Sequence, residues 1–580
     1  MKKVLVLLFV LVAALAVFAE EVDWAIEDVA GKPGGTLFLT TTSGPKTMNP
    51  AWAQETSSTD IIGWVLDTLV HSSNKGLAEL PGLAKDFSAK VTEDGKTIYT
   101  YVLRKGLKWS DGQPLTIDDV IWSFEKVWFD ENMTANGNAG YMDSNDELPQ
   151  IVKVDDYTVQ FVYNSKFRRG HESIGWTEIL PKHILEPYYE EGKFKEAWSL
   201  ADIDKVVSSG PFVLKQYKEG VRVVLEKNPY YYRKDKNGVQ LPYLDQIVYI
   251  IVKDLNTARL KFEAGETDIY SPTAEEFPEI RAMADEKGWV VRQGGPNLGS
   301  QFVTFNFNAK DPVKRKWFRN DHFRRAIAYA IDKQTLIDVL YNGLGAALYG
   351  PVSPSSGYYN PEVENLGFRY SLSRAKRELK KGGFVLKGGK LYDADGNQVK
   401  FELTTNAGNN VREEIGNIVK ENLSKLGIDV NFAPMQFNAL VGKLVATGDW
   451  EAIIIGLTGS VDPASGWNVW RLDGGLHFWN YSPEVKPKMF DDALKADYVV
   501  PEYEKRIDEI MRLQVSAVDK DELQKLFDEF QMLVAEHQVL VYTVAQNYLI
   551  AYKNTVHIFN PEPNPAAGVL WKAWNIWKDQ

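Results

Sequence analysis

The chain has 580 residues, of which 44% are hydrophobic and 25% charged, and this composition excludes a disordered or fibrous protein. The formal net charge of -12 disfavours nucleic acid as a partner, because an acidic surface repels phosphate. With 0 Cys and 7 His, the sequence excludes disulfides and thiolate metal sites and disfavours a multi-histidine metal site. We therefore expect no metal and no cofactor.

The N-terminus has the pattern of a secretory signal peptide. Lys2 and Lys3 precede an apolar run over residues 4–17, which closes at Ala19 before an acidic stretch. The run is shorter than a good membrane span requires, although an uncleaved membrane anchor is the alternative interpretation. We predict cleavage after Ala19, with residues 1–19 as the signal peptide, and a soluble mature protein in the periplasm or outside the cell.

Short strand patterns then alternate with amphipathic helices. Residues 97–103 alternate inward and outward side chains as a half-buried strand, and Thr116 can cap the helix that follows. A pair of strands is predicted over residues 210–214 and 221–225.

Further downstream, residues 324–331 have the pattern of a buried helix. A second helix is predicted over residues 415–426, followed by a strand over 428–432. The alternation of strands and helices along several segments predicts an α/β protein with more than one lobe.

Catalytic motifs are missing from the sequence. There is no G-x-S-x-G elbow, no H-E-x-x-H pair and no Walker loop. The segment that begins at Gly343 starts like a dinucleotide fingerprint but carries Leu348 where the third Gly is needed. We predict that the protein is not an enzyme. A secreted glycoside hydrolase, suggested by the abundance of Trp and carboxylates, is the alternative from another class.

Aromatic residues are unusually abundant, with 17 Trp, 27 Tyr and 27 Phe. Trp467 and Trp470 lie in a Gly- and Asp-rich segment that has no helical periodicity, and loops of this kind concentrate ligand contacts. A flat indole matches the apolar face of a sugar ring, although core packing is the simpler interpretation of any single Trp. The spacing of Trp571, Trp574 and Trp577 instead predicts a terminal helix that packs on a lobe.

A long stretch over residues 94–120, DGKTIYTYVLRKGLKWSDGQPLTIDDV, closely resembles the signature of family 5 extracellular solute-binding proteins. These are the dipeptide- and oligopeptide-binding type that serves ABC importers. Further motifs match in the family's order, so the resemblance covers nearly the whole mature chain. They are SGPF from Ser209, NPYY from Asn228, LPYLD from Leu241, AGETDI from Ala264 and FRRAIAYAIDK from Phe323.

The resemblance implies a two-lobed periplasmic-binding-protein type II fold with an extra domain inserted in the first lobe. On this basis lobe I comprises residues 20–60, 205–300 and 545–580, the inserted domain residues 61–204, and lobe II residues 301–544. It also implies the membrane permease subunits of an ABC importer as partners. A monomer suits such a diffusing carrier.

The ligand class depends on one loop. In peptide-binding members of the family, the loop after a strand like residues 452–456 carries an Asp that pairs with the α-ammonium of the ligand, and the aligned residue here is Ser460. Burying an ammonium without a carboxylate costs on the order of several kcal/mol, although Asp462 could substitute. A short β-linked oligosaccharide is therefore the expected ligand, and an oligopeptide is the alternative. Nickel and haem are disfavoured, because the chain has no His cluster and no Cys.

The predicted ligand-binding residues fall into three groups. Trp467, Trp470 and, from the other lobe, Trp52 are predicted to stack on sugar rings; Trp52 follows a segment that resembles the family's first-lobe loop at the cleft. Short polar residues are predicted to line the loop of the second lobe, namely Gly456, Thr458, Ser460 and Asp462. Three amide residues near strand ends are weaker candidates, namely Gln301, Asn306 and Asn409.

Overall fold

The computed structural model describes residues 21–559 and 568–579, so the predicted signal peptide lies outside the described residues. Two large hydrophobic cores organise the described chain. The first is built mainly from residues 25–269 and 550–576, and the second from residues 274–549. The molecule therefore has two lobes, a first lobe around the first core and a second lobe around the second.

The first lobe contains a four-stranded sheet, sheet I. Its strands in spatial order are Thr36–Thr41, Gln246–Ile251, Arg222–Lys227 and Phe212–Lys218. The first two strands run parallel, and the other pairs are antiparallel. The predicted strand pair lies in this sheet, with each strand a little further along the chain than the pattern indicated.

The second lobe contains a five-stranded sheet, sheet II. Its strands in spatial order are Asp429–Phe432, Lys400–Thr404, Ala452–Leu457, Ser300–Phe305 and Val541–Tyr542. The first three strands are parallel. Residues 452–455 are buried without alternation, as expected for a central strand that is covered on both faces.

A separate antiparallel sheet, sheet III, lies in the part of the chain predicted to be inserted in the first lobe. Its strands in spatial order are Ala84–Val91, Thr97–Leu103, Thr158–Tyr163 and Gln150–Lys153. Strand Thr97–Leu103 alternates buried and half-buried residues along its whole length, as the sequence predicted.

A fourth sheet, sheet IV, links the two cores. It contains Ile269–Tyr270, Val544–Lys553 and Trp289–Pro296, and Gly345–Ala347 pairs with the long central strand. The chain leaves sheet IV for sheet II after Pro296 and returns from sheet II through Thr543. Two neighbouring crossings therefore join the lobes, while the exact lobe boundaries stay a prediction.

Helices cover these sheets. The α-helices are Thr56–Val65, Ile117–Trp122, Gly170–Ser173, Lys182–Glu190, Leu255–Glu263, Phe277–Ala282, Ala284–Lys287, Pro312–Arg319, Asp321–Ala330, Lys333–Thr335, Leu372–Lys381, Asn410–Ser424, Phe437–Gly442, Trp467–Trp470, Asp492–Ala496, Glu502–Leu513 and Lys520–His537. Three short π-helical segments are Ser123–Trp128, Leu336–Leu340 and Lys443–Thr447. The two helices predicted in the second lobe are present, each beginning a few residues earlier than predicted because Asn320 and Asn409 cap them.

Shorter elements complete the described chain. The 3-10 helices are Ala139–Tyr141, Phe194–Glu196, Ile203–Lys205, Pro361–Leu366, Pro463–Gly466, Pro487–Met489 and Ala573–Asn575. The two-stranded pairs are Ala25–Glu27 with Arg233–Asp235, Val70–Ser72 with Ala78–Pro81, Val385–Lys387 with Lys390–Tyr392, and Val556–His557 with Trp577–Lys578. Across residues 21–559 and 568–579, no helix has the length and apolar character that crossing a membrane requires.

The prediction of a terminal helix is wrong. Lys572 adopts a left-handed conformation with φ of 53°, which interrupts a helix, and Trp577 lies in a short strand. Trp574 nevertheless packs in the first core, where the guanidinium of Arg233 lies 4.7 Å from the centre of its ring. The apolar spacing therefore indicated the burial of Trp574 correctly but not helical structure.

Candidate functional site

A cavity of about 760 Å³, the main cavity, lies between the two lobes. On the first lobe it is lined by the end of strand Thr36–Thr41 and by helix Thr56–Val65. On the second lobe it is lined by the end of strand Ala452–Leu457 and the start of helix Asn410–Ser424. Its volume lies in the range of about 300 to 1,000 Å³ that is typical of small-molecule sites.

A second cavity of about 250 Å³, the side chamber, continues from the main cavity into the second lobe. The two share Leu298, Ser300 and Thr458 among their lining residues. The loop after strand Ala452–Leu457 separates them, so this loop shapes both spaces.

Polar contacts join the two lobes at the edge of the main cavity. The side-chain amide of Gln54 donates hydrogen bonds to Asn136 Oδ1 and to the carbonyl oxygen of Gly475, each at 3.0 Å. Further along the same edge, the side-chain amide of Asn438 donates to the carbonyl oxygen of Gly44 at 3.3 Å. These contacts enclose the main cavity between the lobes.

An ion pair fixes the loop between the two cavities. Arg168, which follows sheet III, donates to both carboxylate oxygens of Asp462 at 2.5 and 3.3 Å, and the two side chains are only 15% and 18% exposed. Arg169 adds a hydrogen bond from Nη1 to the carbonyl oxygen of Ala464 at 3.1 Å. Burial raises the pKa of Asp462, but the charges of Arg169 and Arg168 outweigh this effect and hold the pKa below its usual value.

Two carboxylates line the first-lobe wall of the main cavity. Glu55 is buried and accepts a hydrogen bond from the hydroxyl of Ser58. Asp60 has no hydrogen-bond or ion-pair partner among the described residues, and its side chain is open to the solvent in the cavity. Desolvation by the surrounding protein raises the pKa of Asp60 to about 6. Both carboxylates are therefore available to accept hydrogen bonds from a ligand.

Arg412 is the one cation that the described residues contribute to the opposite wall. Its guanidinium donates to Gln301 Oε1 at 3.1 Å and to Asn406 Oδ1 at 2.9 Å, and no carboxylate of the described chain pairs with it. Burial lowers the pKa of Arg412 to about 10. Gly456 makes room for this group, because a Cβ there would lie 2.8 Å from Nη2.

Six of the predicted residues lie at the two cavities. Gln301, Asn409, Gly456 and Thr458 line the main cavity. Ser460 and Trp470 line the side chamber, as Thr458 also does. Contact of these residues with a ligand stays a prediction.

The other four predicted residues serve the protein itself. Asn306 is buried and donates to the carbonyl oxygens of Gly448 and Trp450, so it does not reach the main cavity. Trp52 lies under the ammonium of Lys195, 4.2 Å from the ring centre. Trp467 packs against Gly140, where a Cβ would clash with its ring, and Asp462 is engaged by Arg168. None of these four side chains lines the main cavity or the side chamber.

The residues that the sequence analysis missed are Asp60, Glu55 and Arg412. The position of Arg412 had a usable signal, because it lies three residues after Asn409 at the start of a helix and so shares a face with it. Asp60 has no such motif, and only the placement of its helix against the opposite lobe brings it to the cavity. Within residues 21–559 and 568–579, no three His, Asp or Glu side chains form a group that could hold a metal ion.

Comparison with known families gives a match over most of the chain. A model of bacterial extracellular solute-binding proteins, family 5 Middle, matches residues 80–475. A probable ABC transporter-binding protein from Deinococcus radiodurans is 31% identical over 523 residues, which cover 84% of this chain and 86% of that protein.

Two solved structures share the fold. The oligopeptide-binding protein AppA from Bacillus subtilis, in complex with a nonapeptide, has a TM-score of 0.77 at 24% identity and covers 95% of this chain and 100% of that chain. The periplasmic binding protein MelB from Agrobacterium fabrum C58, in complex with stachyose, has a TM-score of 0.78 at 22% identity. The match covers 95% of this chain and 86% of that chain. The predicted two-lobed α/β fold of a type II periplasmic binding protein is thereby confirmed.

The raised pKa of Asp60 predicts a pH-dependent stability. The carboxyl group of Asp60 holds its proton more tightly in the folded protein than in the unfolded chain, where its pKa is near 3.8. Its ionisation therefore lowers the free energy of unfolding as the pH rises from about 4 to 6. Asp60→Asn should therefore stabilise the protein at pH 7.5 by about 1 kcal/mol, because cavity solvent screens the charge, and should have no such effect at pH 4. Urea unfolding at both pH values measures this, with the exposed Asp204→Asn as the control. Equal stabilisation at both pH values would contradict the prediction.

Removal of the ion pair between Arg168 and Asp462 should lower the stability of the protein by more than removal of a surface ion pair. Arg168→Gln leaves the partly buried carboxylate of Asp462 with the more distant Arg169 as its remaining cation. The free energy of unfolding should therefore fall by about 3 kcal/mol at pH 7. Arg506→Gln is the matched control, because Arg506 forms exposed pairs with Glu509 and Glu529 and its loss should stay within about 1 kcal/mol. Urea unfolding compares the two variants, and equal losses would mean that the interlobe pair contributes no more than a surface pair.

Proposed function

This chain belongs to the bacterial extracellular solute-binding proteins of family 5, and from that premise we propose that it captures a short β-linked oligosaccharide between its two lobes. The loaded protein would deliver this ligand to the membrane permease subunits of an ABC importer. We further propose that it acts outside the cytoplasm as a monomer after removal of residues 1–19, with the lobe boundaries given by the sequence analysis.

The observation that carries this proposal is the chemistry of the loop after strand Ala452–Leu457. The hydroxyl of Ser460 donates to the carbonyl oxygen of Asp462 at 2.5 Å, and the carboxylate of Asp462 is paired with Arg168. Neither residue therefore offers a free carboxylate to the ammonium of a peptide at this position. A neutral ligand has no such requirement.

The lining of the main cavity supports a ligand with many hydroxyl groups. Most of its polar residues carry hydroxyl or amide side chains, and among the described lining residues only Glu55, Asp60 and Arg412 are charged. Hydroxyl groups of a sugar both donate and accept hydrogen bonds, so they suit such a mixed lining. The complex of the similarly folded MelB with stachyose is in line with a sugar ligand.

Capture follows from differential affinity. A ligand that touches both walls of the main cavity binds the closed arrangement of lobes more tightly than an open one, and this difference shifts the population towards closure. The closed lobes then present one fixed pair of surfaces to a permease. This mechanism requires no covalent chemistry, and the relatives described above are named as binding proteins rather than enzymes.

An oligopeptide is the second candidate, and the charges of the main cavity favour it specifically. Asp60 and Glu55 lie on one wall and Arg412 on the other, an arrangement that can accept the ammonium and the carboxylate of a peptide. AppA, which has a similar fold, is in complex with a nonapeptide.

Calorimetry separates the two candidates. The purified protein is titrated with cello-, manno- and xylo-oligosaccharides, with α-linked maltotriose to test the linkage, and with tri- to pentapeptides. We expect saturable heat with a β-linked sugar and recovery of the intact sugar from the complex. Heat with peptides alone would replace the sugar assignment, and turnover of the sugar would indicate a glycoside hydrolase.

The variants Asp60→Asn and Glu55→Gln, made singly and together, test the same choice from the side of the protein. A neutral sugar should lose at most about tenfold in affinity, because the amides still offer an oxygen acceptor. A peptide whose ammonium pairs with these carboxylates should lose at least about thirtyfold. Calorimetry on each variant with the tightest ligand of the first experiment measures the ratio, and a thirtyfold loss would contradict the proposal.

A further inference from the structure

The side chamber is lined by polar side chains that have no hydrogen-bond partner among the described residues. Trp470 is 6% exposed, and its ring packs edge to face against Phe530 at 5.0 Å. No described residue accepts a hydrogen bond from its indole N–H. The Nε1 edge lies beside Gly466, where a Cβ would be 3.3 Å from Nε1, and Gly466 lines the same chamber.

Two further polar groups of the chamber also have no hydrogen-bond partner among the described residues. Tyr542 is 2% exposed, and its hydroxyl has no hydrogen-bond partner among the described residues. Burial raises the pKa of Tyr542 well above its usual value, so the hydroxyl keeps its proton. The side-chain amide of Asn468 also lacks a partner in the described chain, whereas its main-chain oxygen accepts from Leu476 N at 2.8 Å.

Among the other hydroxyl groups around the chamber, those of Ser353, Ser460 and Ser465 are engaged, whereas those of Ser300 and Thr458 have no partner among the described residues. Ser353 donates to the carbonyl oxygen of Asn297, and Ser465 accepts a hydrogen bond from Arg169. Polar groups of folded proteins are almost always hydrogen-bonded to protein or water, so the unpaired groups of the chamber are available to water or to a ligand that satisfies them.

The lining restricts what this occupant can be. None of the described residues that line the chamber is charged, so a charged group would enter it without a counter-ion from them. Pro351, Val352 and Phe530 supply apolar surface beside the polar groups. With about 250 Å³, the chamber is smaller than a complete small-molecule site of about 300 Å³ or more, so it holds one part of a ligand that extends from the main cavity.

We propose that the side chamber is a subsite for one uncharged, hydrogen-bonding end group of the ligand, with Trp470, Tyr542 and Asn468 as its recognition residues. If the ligand is the oligosaccharide of the proposed function, on which this identification rests, the end group is its terminal sugar ring. The chamber then sets the identity of the terminal unit and the minimum length of the bound chain.

The variants Trp470→Phe and Tyr542→Phe test this subsite, because each keeps an aromatic ring and removes one hydrogen-bonding group. Calorimetry with cellobiose, cellotriose and cellotetraose should show a three- to tenfold loss of affinity in each variant. The loss should begin at the chain length that fills the chamber and be absent for shorter chains. Tyr503→Phe, which removes a hydroxyl that is bonded to Arg324 away from both cavities, is the matched control and should bind as wild type.

Unchanged affinity in both variants for every chain length would overturn the subsite and indicate that water occupies the chamber. If the wild-type protein binds none of the sugars, it is titrated with the peptides Ala-Ala-Gln and Ala-Ala-Lys. Tighter binding of the Gln peptide that Trp470→Phe abolishes would support the uncharged subsite while overturning the sugar assignment. Equal binding of the two peptides would overturn the subsite, and binding of neither sugar nor peptide would overturn both proposals. Circular dichroism melts establish that each variant is folded.

Discussion

The ion pair between Arg168 and Asp462 is the constraint on which the shape of the two cavities depends. Asp462 lies in the loop that divides the main cavity from the side chamber, and Arg168 reaches it from the region of sheet III. Arg168 is itself held in place, because its guanidinium donates to the side chain of Gln514 at 2.6 Å. The shape of both cavities is thus tied to the docking of the inserted sheet on the second lobe.

This pair also changes the chemistry of the loop. A carboxylate that is already neutralised by a protein cation has little to gain from a ligand cation, whereas Asp60 and Arg412 have no counter-ion among the described residues and can pair with a charged group of a ligand. The distribution of satisfied and unsatisfied polar groups therefore says more about the ligand than the number of charged residues does. In the main cavity the free groups include charges, and in the side chamber they are neutral.

Aromatic residues illustrate how far composition can mislead. Trp467 and Trp470 lie three residues apart in one segment, yet the first packs against Gly140 and the second lines the side chamber. Trp52 instead lies beneath Lys195. An indole is equally suited to a core, a cation and a sugar face, so the residue type alone does not select among these environments.

Sequence motifs were sufficient to identify the family, and local patterns were sufficient to predict the α/β class and the main strands and helices, because periodicity and capping residues act over a few neighbouring positions. It also placed Gln301, Asn409, Gly456 and Thr458 at the ends of elements that line the main cavity. The positions of Asp60 and Arg412 on its opposite walls and the pairing of Asp462 became visible only in the folded chain. These facts depend on contacts between residues hundreds of positions apart, which leave no periodic trace in the chain.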